Sequence, residues 1–158
     1  MKTYITYGKG NKFDKDKLPK VEDLKIELSC LNKVRKTLWG SPVDANYGWK
    51  EWCEDNGFHT ELLTDDNSFK WTLKPEARIL YIEDLGDLEK VPFITKNEYA
   101  FMETYIDFES IIKSYDAMEI CMDEHYIGHM FVSKEEIAFN SWDCDSIMVF
   151  NREMIIPL

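Results

Sequence analysis

The sequence predicts an α+β fold, a single compact domain over residues 1–158 with a mixed, mostly antiparallel sheet and two or three helices. Its 158 residues suit one domain, because a chain of this length buries roughly two thirds of the surface that its unfolded form exposes. A hydrophobic share of 44% is enough to fill such a core. Strand-like and helical segments do not alternate regularly, which argues against a doubly wound parallel sheet.

The first half of the chain contains three segments with strand patterns. Residues 2–7 place successive side chains on opposite faces and are followed by a glycine-rich turn. Residues 36–42 predict a short strand that a glycine and a proline bring to an end, and residues 69–73 alternate clearly. Between these strands, the charged residues 12–20 indicate a solvated loop, and residues 24–31 are ambiguous.

Two segments have helical patterns. Residues 47–56 carry apolar side chains at three- and four-residue spacing and end at Gly57, a residue that commonly stops a helix. Residues 108–113 predict a second helix with Asp107 as its N-cap. Residues 84–90 favour a further short helix.

The remaining strands lie in the second half. Residues 78–82 predict a strand and residues 118–122 a core strand, and the unbroken apolar run 147–150 is typical of a strand that is covered on both faces. Residues 124–133 show no clear pattern, and residues 134–139 suit a short turn or strand.

Two acids stand immediately before the apolar run. Asp143 and Asp145 are two residues apart and would point the same way in an extended chain, with Trp142 beside them. A pair of carboxylates at the mouth of a buried strand is a candidate site. The alternative interpretation is a polar turn that leads into a core strand, and these residues alone favour it.

Charge limits the classes of partner. The net charge of −11 argues against sequence-independent binding to nucleic acid or to an anionic membrane. An acidic surface could bind a basic partner, imitate a phosphate backbone, or only keep the protein in solution. Neither a GxGxxG segment after a strand nor a Gly-Lys-Ser/Thr sequence is present, so the standard phosphate-binding loops are excluded.

Cysteine and histidine usage predicts a reduced, cytoplasmic protein. The four cysteines are far apart in sequence, form no CxxC pair, and have no histidine at metal-ligand spacing. The chain shows no leader pattern and no long apolar run. His125 and His129 would share a helix face, but they do not make a convincing metal site. Cys144 stands between two acids, which should raise the pKa of its thiol.

Five segments, taken in order along the chain, resemble a small ADP-ribosyltransferase domain of the kind found in phage and bacterial genomes. They are Thr6-Tyr7-Gly8, Leu38-Trp39-Gly40-Ser41-Pro42, the Trp-rich residues 47–53, the turn and strand 115–119, and Asp143-Cys144-Asp145. The last resembles the acid-x-acid element that introduces the catalytic strand of that family. The match rests on this order, which spans nearly the whole chain.

The resemblance implies that NAD is the substrate and that a carboxylate acts at its nicotinamide ribose. Breaking the nicotinamide–ribose bond builds positive charge on the ribose, as in glycoside hydrolysis, and a nearby carboxylate stabilises that charge. Asp145 is the implied catalytic acid, with Asp143 as a helper or an acceptor-side contact. Glu119 is the alternative acid. The family usually has Glu where Asp145 stands, so a degenerate, non-catalytic member is an open alternative.

The same resemblance implies the residues that bind NAD. Tyr7, Tyr47 or Trp49 would offer an aromatic face to the nicotinamide ring. Ser41 would donate a hydrogen bond beneath the catalytic acid, and backbone amides near Gly8 would receive a phosphate or the carboxamide. Taken without the resemblance, the tryptophans are more simply core residues, and Ser41 before a proline is a turn residue.

The expected function is therefore an NAD-dependent ADP-ribosyltransferase that modifies an intracellular protein, a host or defence protein if the gene is viral. One alternative is a non-catalytic acidic inhibitor that binds a basic partner through surface acids such as Asp65, Asp66, Asp84 and Asp87. Another is a nucleotide-binding protein of the same fold without transfer chemistry. Convergence of Asp143, Asp145, Ser41 and Tyr7 on one cleft would favour the NAD-binding hypotheses over the inhibitor.

Overall fold

One central sheet organises the molecule. The computed structural model describes residues 1–26, 33–99, 102–121, 138–139 and 142–158. Seven strands within these ranges form a sheet in the order β4-β7-β8-β2-β1-β3-β9, and β5 pairs with β6 as a separate two-stranded sheet. The strands are β1 (Thr3–Tyr7), β2 (Leu38–Pro42), β3 (Ser68–Leu73), β4 (Ile79–Ile82), β5 (Phe93–Tyr99), β6 (Met102–Ile106), β7 (Ala117–Ile120), β8 (Ser146–Val149) and β9 (Ile155–Pro157).

The predicted α+β class is confirmed. β4 and β7 are parallel, and every other pair in the main sheet is antiparallel, so the sheet is mixed and mostly antiparallel. The α-helices of the described residues are α1 (Trp49–Asn56) and α2 (Phe108–Ser114). The same described ranges also contain six short 3-10 helices: Lys15–Lys17, Val21–Asp23, Thr60–Leu62, Asp65–Asn67, Leu85–Lys90 and Arg152–Met154.

β8 is a covered strand, as its apolar run predicts. It pairs with β7 on one side and with β2 on the other, and all four of its residues are buried. Because side chains alternate across a strand, Met148 packs into one hydrophobic cluster while Ile147 and Val149 pack into another. The first cluster also takes Phe108 and Ile111 of α2. The sheet thus has an apolar core on each face.

Both predicted α-helices form, with ends that the sequence signals explain. Gly57 follows α1 in the left-handed conformation, with φ 61°, and its backbone amide bonds back to the carbonyl of Glu54. The Asp107 side chain caps α2 by accepting a hydrogen bond from the backbone amide of Ser110 at 3.2 Å. The helix predicted over residues 84–90 is instead the 3-10 helix Leu85–Lys90.

Sequence patterns missed three strands. The β5–β6 hairpin has a register irregularity between Thr95 and Tyr99, which removes the regular alternation that would identify β5. β9 has only three residues and carries Pro157 at the edge of the sheet, where a missing amide is tolerated. The predictions for residues 124–133 and 134–137, the histidine pair, and most of residues 24–31 fall outside the described residues.

Two further findings concern membrane-spanning helices and the thiols. Within the described ranges, no helix has the length and apolarity that crossing a bilayer requires. Cys53, Cys121 and Cys144 are free thiols.

Candidate ligand-binding cleft

A cleft of about 660 Å³ opens where the sheet meets the start of α1. β1 and β2 contribute paired residues to it, because Ile5 of β1 lies opposite Ser41 of β2. The segment 33–37, the first residue of α1, and Asp143, Cys144 and Ser146 complete its lining. The volume lies within the range of roughly 300–1,000 Å³ that is typical of small-molecule and cofactor sites.

Four residues that the sequence singled out line this cleft together: Tyr7, Ser41, Trp49 and Asp143. They come from β1, β2, α1 and the approach to β8; β2 and α1 are close in sequence, whereas β1 and the approach to β8 are distant from them along the chain. The strand order β8-β2-β1 brings three of these elements side by side. The convergence was the feature expected to separate the NAD-binding hypotheses from the inhibitor, and it holds for Asp143 but not for Asp145.

Ser41 fixes the start of α1 against the sheet. Its Oγ accepts a hydrogen bond from the backbone amide of Trp49 at 2.9 Å, and the side chain is almost fully buried. The adjacent amide of Gly48 donates to the Glu51 carboxylate at 3.1 Å, so two of the otherwise unpaired amides at this helix end are satisfied. Ser41 was expected to bond beneath the catalytic acid, and its observed partner is the helix instead.

The floor of the cleft is braced from the other face of the sheet. Thr6 donates from its hydroxyl to the carbonyl of Trp39 at 2.6 Å and accepts from Nε1 of the buried Trp71 at 2.9 Å. Gly40 lies directly under Trp71, since a Cβ at Gly40 would stand 2.8 Å from Cζ2 of that ring and 2.9 Å from the carbonyl oxygen of Ile5. Close packing of this kind keeps a site in one geometry.

The cleft is basic in a strongly acidic chain. Lys9, Lys33, Arg35 and Lys36 all contribute to its lining, and Asp143 is the single acid among the described lining residues. The whole chain, in contrast, has 30 acids against 19 basic residues. Local charge therefore differs in sign from net charge, and the cleft can attract anions that the rest of the surface repels.

The basic residues come mainly from a turn that the sequence analysis did not use. Lys33-Val34-Arg35-Lys36 is visible as a charge run directly before β2, and this run was the signal that could have identified the site. Lys36 adopts a positive φ of 64°, which is uncommon for a residue with a side chain. The hydroxyl of Thr37 closes the turn by donating to the carbonyl of Val34 at 2.9 Å.

Lys33 lies over two tryptophan rings at one wall of the cleft. Its Nζ is 4.8 Å from the centroid of Trp39 and 5.7 Å from that of Trp142, within the range of cation–π attraction. Burial lowers the pKa of the Lys33 ammonium, although the negative charge of Asp143 acts in the opposite direction. The half-buried Lys33 is thus held between aromatic faces and the acid of the cleft.

Asp143 and Asp145 do not act as a pair, which corrects the extended-chain expectation. Asp143 is exposed and lines the cleft, whereas Asp145 is 2% exposed and is not a lining residue. The chain bends at residues 144–145, and the amide of Asp145 bonds to the carbonyl of Tyr47 at 2.9 Å. Because the segment is bent rather than extended, side chains two apart no longer share a direction.

Cys144 lies between these acids and is buried. Burial, together with the negative charges of Asp143 and Asp145, raises the pKa of its thiol to about 12, although Lys33 opposes the shift. The predicted direction is confirmed, with burial as the largest cause. A thiol this weakly acidic is a poor nucleophile at neutral pH.

Glu119, the alternative acid, lies outside the cleft. It is 2% exposed on β7, and its carboxylate accepts hydrogen bonds from the Tyr4 hydroxyl at 2.8 Å and from the Lys2 ammonium at 2.5 Å. Neither of these partners lines the cleft. Its strand neighbours Ala117 and Ile147 belong to the core on the face of the sheet that also holds Tyr4. Glu119 is a paired buried charge within the fold.

Two residues assigned to NAD binding also lie beside the cleft rather than in it. The amide of Gly8 donates to the carbonyl of Asn67 at 2.8 Å, so this donor already has a partner, and Lys9 is the lining residue next to it. The Tyr47 hydroxyl donates to Asp55 at 3.1 Å, and its ring is not part of the lining.

Comparisons of the chain with protein-family models, with curated proteins and with solved structures gave no match. Among the described residues, no group of three or more His, Cys, Asp or Glu side chains could hold a metal ion. The chemistry of the cleft is therefore argued from its own residues.

Proposed function

We propose that the cleft binds NAD and that the protein transfers ADP-ribose from it to a protein acceptor, with Asp143 as the carboxylate at the nicotinamide ribose. The observation that carries this proposal is the convergence of Tyr7, Ser41, Trp49 and Asp143 on one cleft with four basic side chains. The resemblance in segment order to ADP-ribosyltransferases supports the reaction class, and the geometry supports the ligand class.

The basic side of the cleft suits the two phosphates of NAD. Lysine ammonium groups act as point charges toward phosphate, and an arginine can bind phosphate oxygens through two parallel hydrogen bonds. Lys9 and Lys36 are exposed at the surface of the cleft, where they can reach a ligand without a buried-charge penalty.

Aromatic side chains suit the two ring systems of the ligand. Tyr7, Trp39 and Trp49 are each half-buried and each line the cleft, so each ring is supported by the fold and part of each side chain is accessible. Supported aromatic rings are well suited to stacking on a flat heterocycle. An exposed ring without support would lose more conformational freedom on binding.

The carboxylate supplies the electrostatic part of the reaction. When the bond between nicotinamide and ribose breaks, positive charge develops on the ribose, and a fixed negative charge nearby lowers the energy of that state. Asp143 is the lining acid that can serve this role, and it replaces Asp145 in the proposed mechanism. An acceptor nucleophile then forms the new bond to the ribose as nicotinamide leaves.

A second candidate function is nucleotide binding without transfer. The specific observation in its favour is that Asp145 and Glu119 are both buried outside the cleft, so its described lining residues include one carboxylate and four basic groups. Such a site would bind NAD or ADP-ribose and leave the nicotinamide bond intact.

Binding and nicotinamide release, measured together, test both functions. Isothermal titration with NAD, ADP-ribose and nicotinamide reports binding, and chromatography of NAD incubated with protein and a bacterial lysate as acceptor source reports release. We expect both NAD and ADP-ribose to bind to the wild-type protein. We expect nicotinamide release to be at least tenfold lower in Asp143→Asn. Asp145→Asn is the matched control. Because Asp145 does not line the cleft, nicotinamide release by this variant should decrease only in proportion to any loss of folded protein.

Each result decides between the functions. Binding without release in the presence of lysate would favour nucleotide binding without transfer. Release that is lost in Asp145→Asn but kept in Asp143→Asn would overturn the assignment of the acid. If neither NAD nor ADP-ribose binds, both the proposal and its alternative are overturned.

A further inference from the structure

The outer face of α1 and the loop after it carry aromatic side chains at the protein surface. Trp49 and Trp52 stack with their ring centroids 5.1 Å apart and an interplanar angle of 16°. Phe58 meets both rings edge-on, with centroid separations of 6.0 Å and 5.5 Å. Phe58 is 42% exposed, and both tryptophans are only half-buried. Exposed apolar groups of this kind often mark interaction sites.

Acidic side chains surround these rings. Residues 51–67 contain six acids and neither lysine nor arginine. All six acids are exposed: Glu51, Glu54, Asp55, Glu61, Asp65 and Asp66. His59 lies among these acids, with its Nδ1 3.2 Å from the Glu61 carboxylate. We call the three rings and these six acids the α1 surface.

The α1 surface adjoins the cleft. Trp49 belongs to both, since it stacks on Trp52 and also lines the cleft. Tyr7 connects them electrostatically: burial raises the pKa of its phenol, and the carboxylates of Glu51, Asp65 and Glu54 raise it further. Acids from α1 and from the 3-10 helix Asp65–Asn67 therefore lie near Tyr7, which lines the cleft.

We propose that the α1 surface docks a lysine- and arginine-rich segment of a partner protein and holds it at the mouth of the cleft. Charge complementarity selects this occupant, because six carboxylates with Lys50 of α1 as their one basic neighbour in sequence carry a net negative charge. That charge repels nucleic acid, an anionic lipid surface and a second copy of this acidic chain. Arginine is also the cation that stacks best on tryptophan and phenylalanine faces. The role of the α1 surface in presenting an acceptor to the cleft rests on the proposed function, whereas the docking of a basic segment does not.

The remaining acids named for an inhibitor surface lie elsewhere. Asp84 and Asp87 are next to the end of β4, which is five places away from β3 in the sheet order. Five strand spacings correspond to about 24 Å, so these acids do not extend the α1 surface. Asp87 is also paired with Lys90 at 2.5 Å. Glu83 and Asp84, both exposed, therefore give a matched control for charge reversal.

Fluorescence anisotropy with a labelled ten-residue peptide of Arg, Lys and Gly tests the docking. A peptide with Glu in place of each basic residue is the control ligand. We expect the basic peptide to bind the wild-type chain, and the double variant Glu54→Lys, Asp66→Lys to bind it at least tenfold more weakly. Glu83→Lys, Asp84→Lys changes the net charge equally and should weaken binding by less than about threefold. Phe58→Ala should weaken it about threefold to tenfold.

The outcomes separate docking from general attraction and from NAD binding. Equal weakening in both double variants would show that only net charge attracts the peptide, and would overturn the proposal. Absence of binding at low salt, or equal binding of the acidic peptide, would overturn it as well. NAD titrations on the same variants measure ligand binding by the cleft separately. If NAD does not bind, the peptide measurements still test the docking proposal. Melting temperatures confirm that each variant is folded.

Discussion

Ser41 accepts a hydrogen bond from the backbone amide of Trp49 at 2.9 Å, and this bond joins β2 to the start of α1 at the edge of the cleft. Trp49 lines the cleft and also stacks on Trp52 at the surface. One buried hydroxyl thus positions a side chain that the cleft and the α1 surface share.

Replacing Ser41 with alanine tests this connection. The variant leaves an amide at the helix start without its partner, so we expect a loss of about 1 kcal/mol in the free energy of unfolding, within a range of roughly 0.5–2. Urea unfolding measures it. Ser114→Ala, at the exposed last residue of α2, is the control and should change stability by less than about 0.5 kcal/mol. Equal effects in the two variants would contradict the bracing role.

The basic residues of the cleft should set its affinity for phosphate groups. We expect Lys9→Gln and Lys36→Gln each to weaken NAD binding about threefold to tenfold, which corresponds to about 0.7–1.4 kcal/mol. Added salt should reduce the effect, because both side chains are exposed. Isothermal titration at two salt concentrations is the measurement. The exposed lysines Lys12 and Lys17 lie outside the cleft and provide Gln controls with unchanged affinity.

Gly40 should not accept a side chain. An alanine there would place its Cβ 2.8 Å from the Trp71 ring and 2.9 Å from the backbone carbonyl of Ile5, so ring and strand would have to move. We expect a loss of at least about 1–3 kcal/mol in the free energy of unfolding, as for overpacked cores. Thermal and urea unfolding check it.

Gly86→Ala is the control for Gly40. A Cβ at Gly86 meets only the Asp84 carboxylate oxygen, at 3.1 Å. That side chain is exposed and accepts one hydrogen bond from the Asp87 amide, so a shift of a few tenths of an ångström is enough. Its stability should change by less than about 0.5 kcal/mol. A Gly40→Ala protein as stable as this control would show that the floor of the cleft is not tightly packed.

Asp116 should contribute stability that acid removes. Burial alone would raise the pKa of this carboxyl, but hydrogen bonds from Asn151 and Arg78 outweigh burial and hold the pKa below its usual 3.8. Because the pKa of this carboxyl is lower in the folded state than in the unfolded state, its ionisation stabilises the fold at pH values above the unfolded-state pKa. That stabilisation is lost as the pH falls through the folded-state pKa. Asp116→Asn should therefore be destabilised at pH 7, by about 1–3 kcal/mol.

The pH dependence distinguishes this effect from a packing defect. The difference in unfolding free energy between wild type and Asp116→Asn should shrink as pH falls from about 4 toward 2, since the wild-type carboxylate is then protonated. Urea unfolding at pH 7, 4 and 3 measures it. Asp16→Asn, at an exposed position, should show neither effect. A difference that stays constant with pH would indicate lost packing or hydrogen bonding instead of lost charge.

Local signals in the sequence were sufficient for much of the fold. The spacing of apolar residues with Gly57 predicted α1, the Asp107 cap predicted α2, and the apolar run 147–150 predicted the central strand β8. These features depend on residues within one or two turns of each other. The β5–β6 hairpin escaped prediction because an irregular register hides strand alternation from the sequence.

The net charge of the chain gave no indication of the basic residues that line the cleft. A net charge of −11 describes the whole surface, and it concealed the basic turn at residues 33–36 that lines the cleft. The charge run was visible in the sequence, but nothing local shows that it folds against β1, β2 and Asp143. Its position depends on pairing between distant strands.

The sequence by itself determined the fold class, the main helices and strands, and the residue types at the cleft, since periodicity, caps and turn residues act over short distances. Only the tertiary structure decided which side chains meet. The bend at residues 144–145 separates Asp143 from Asp145, and Glu119 finds its partners Lys2 and Tyr4 more than a hundred residues away. These contacts follow from the strand order and from burial. Because burying an unpaired polar group costs free energy, buried polar side chains are paired, even with residues that are distant in sequence.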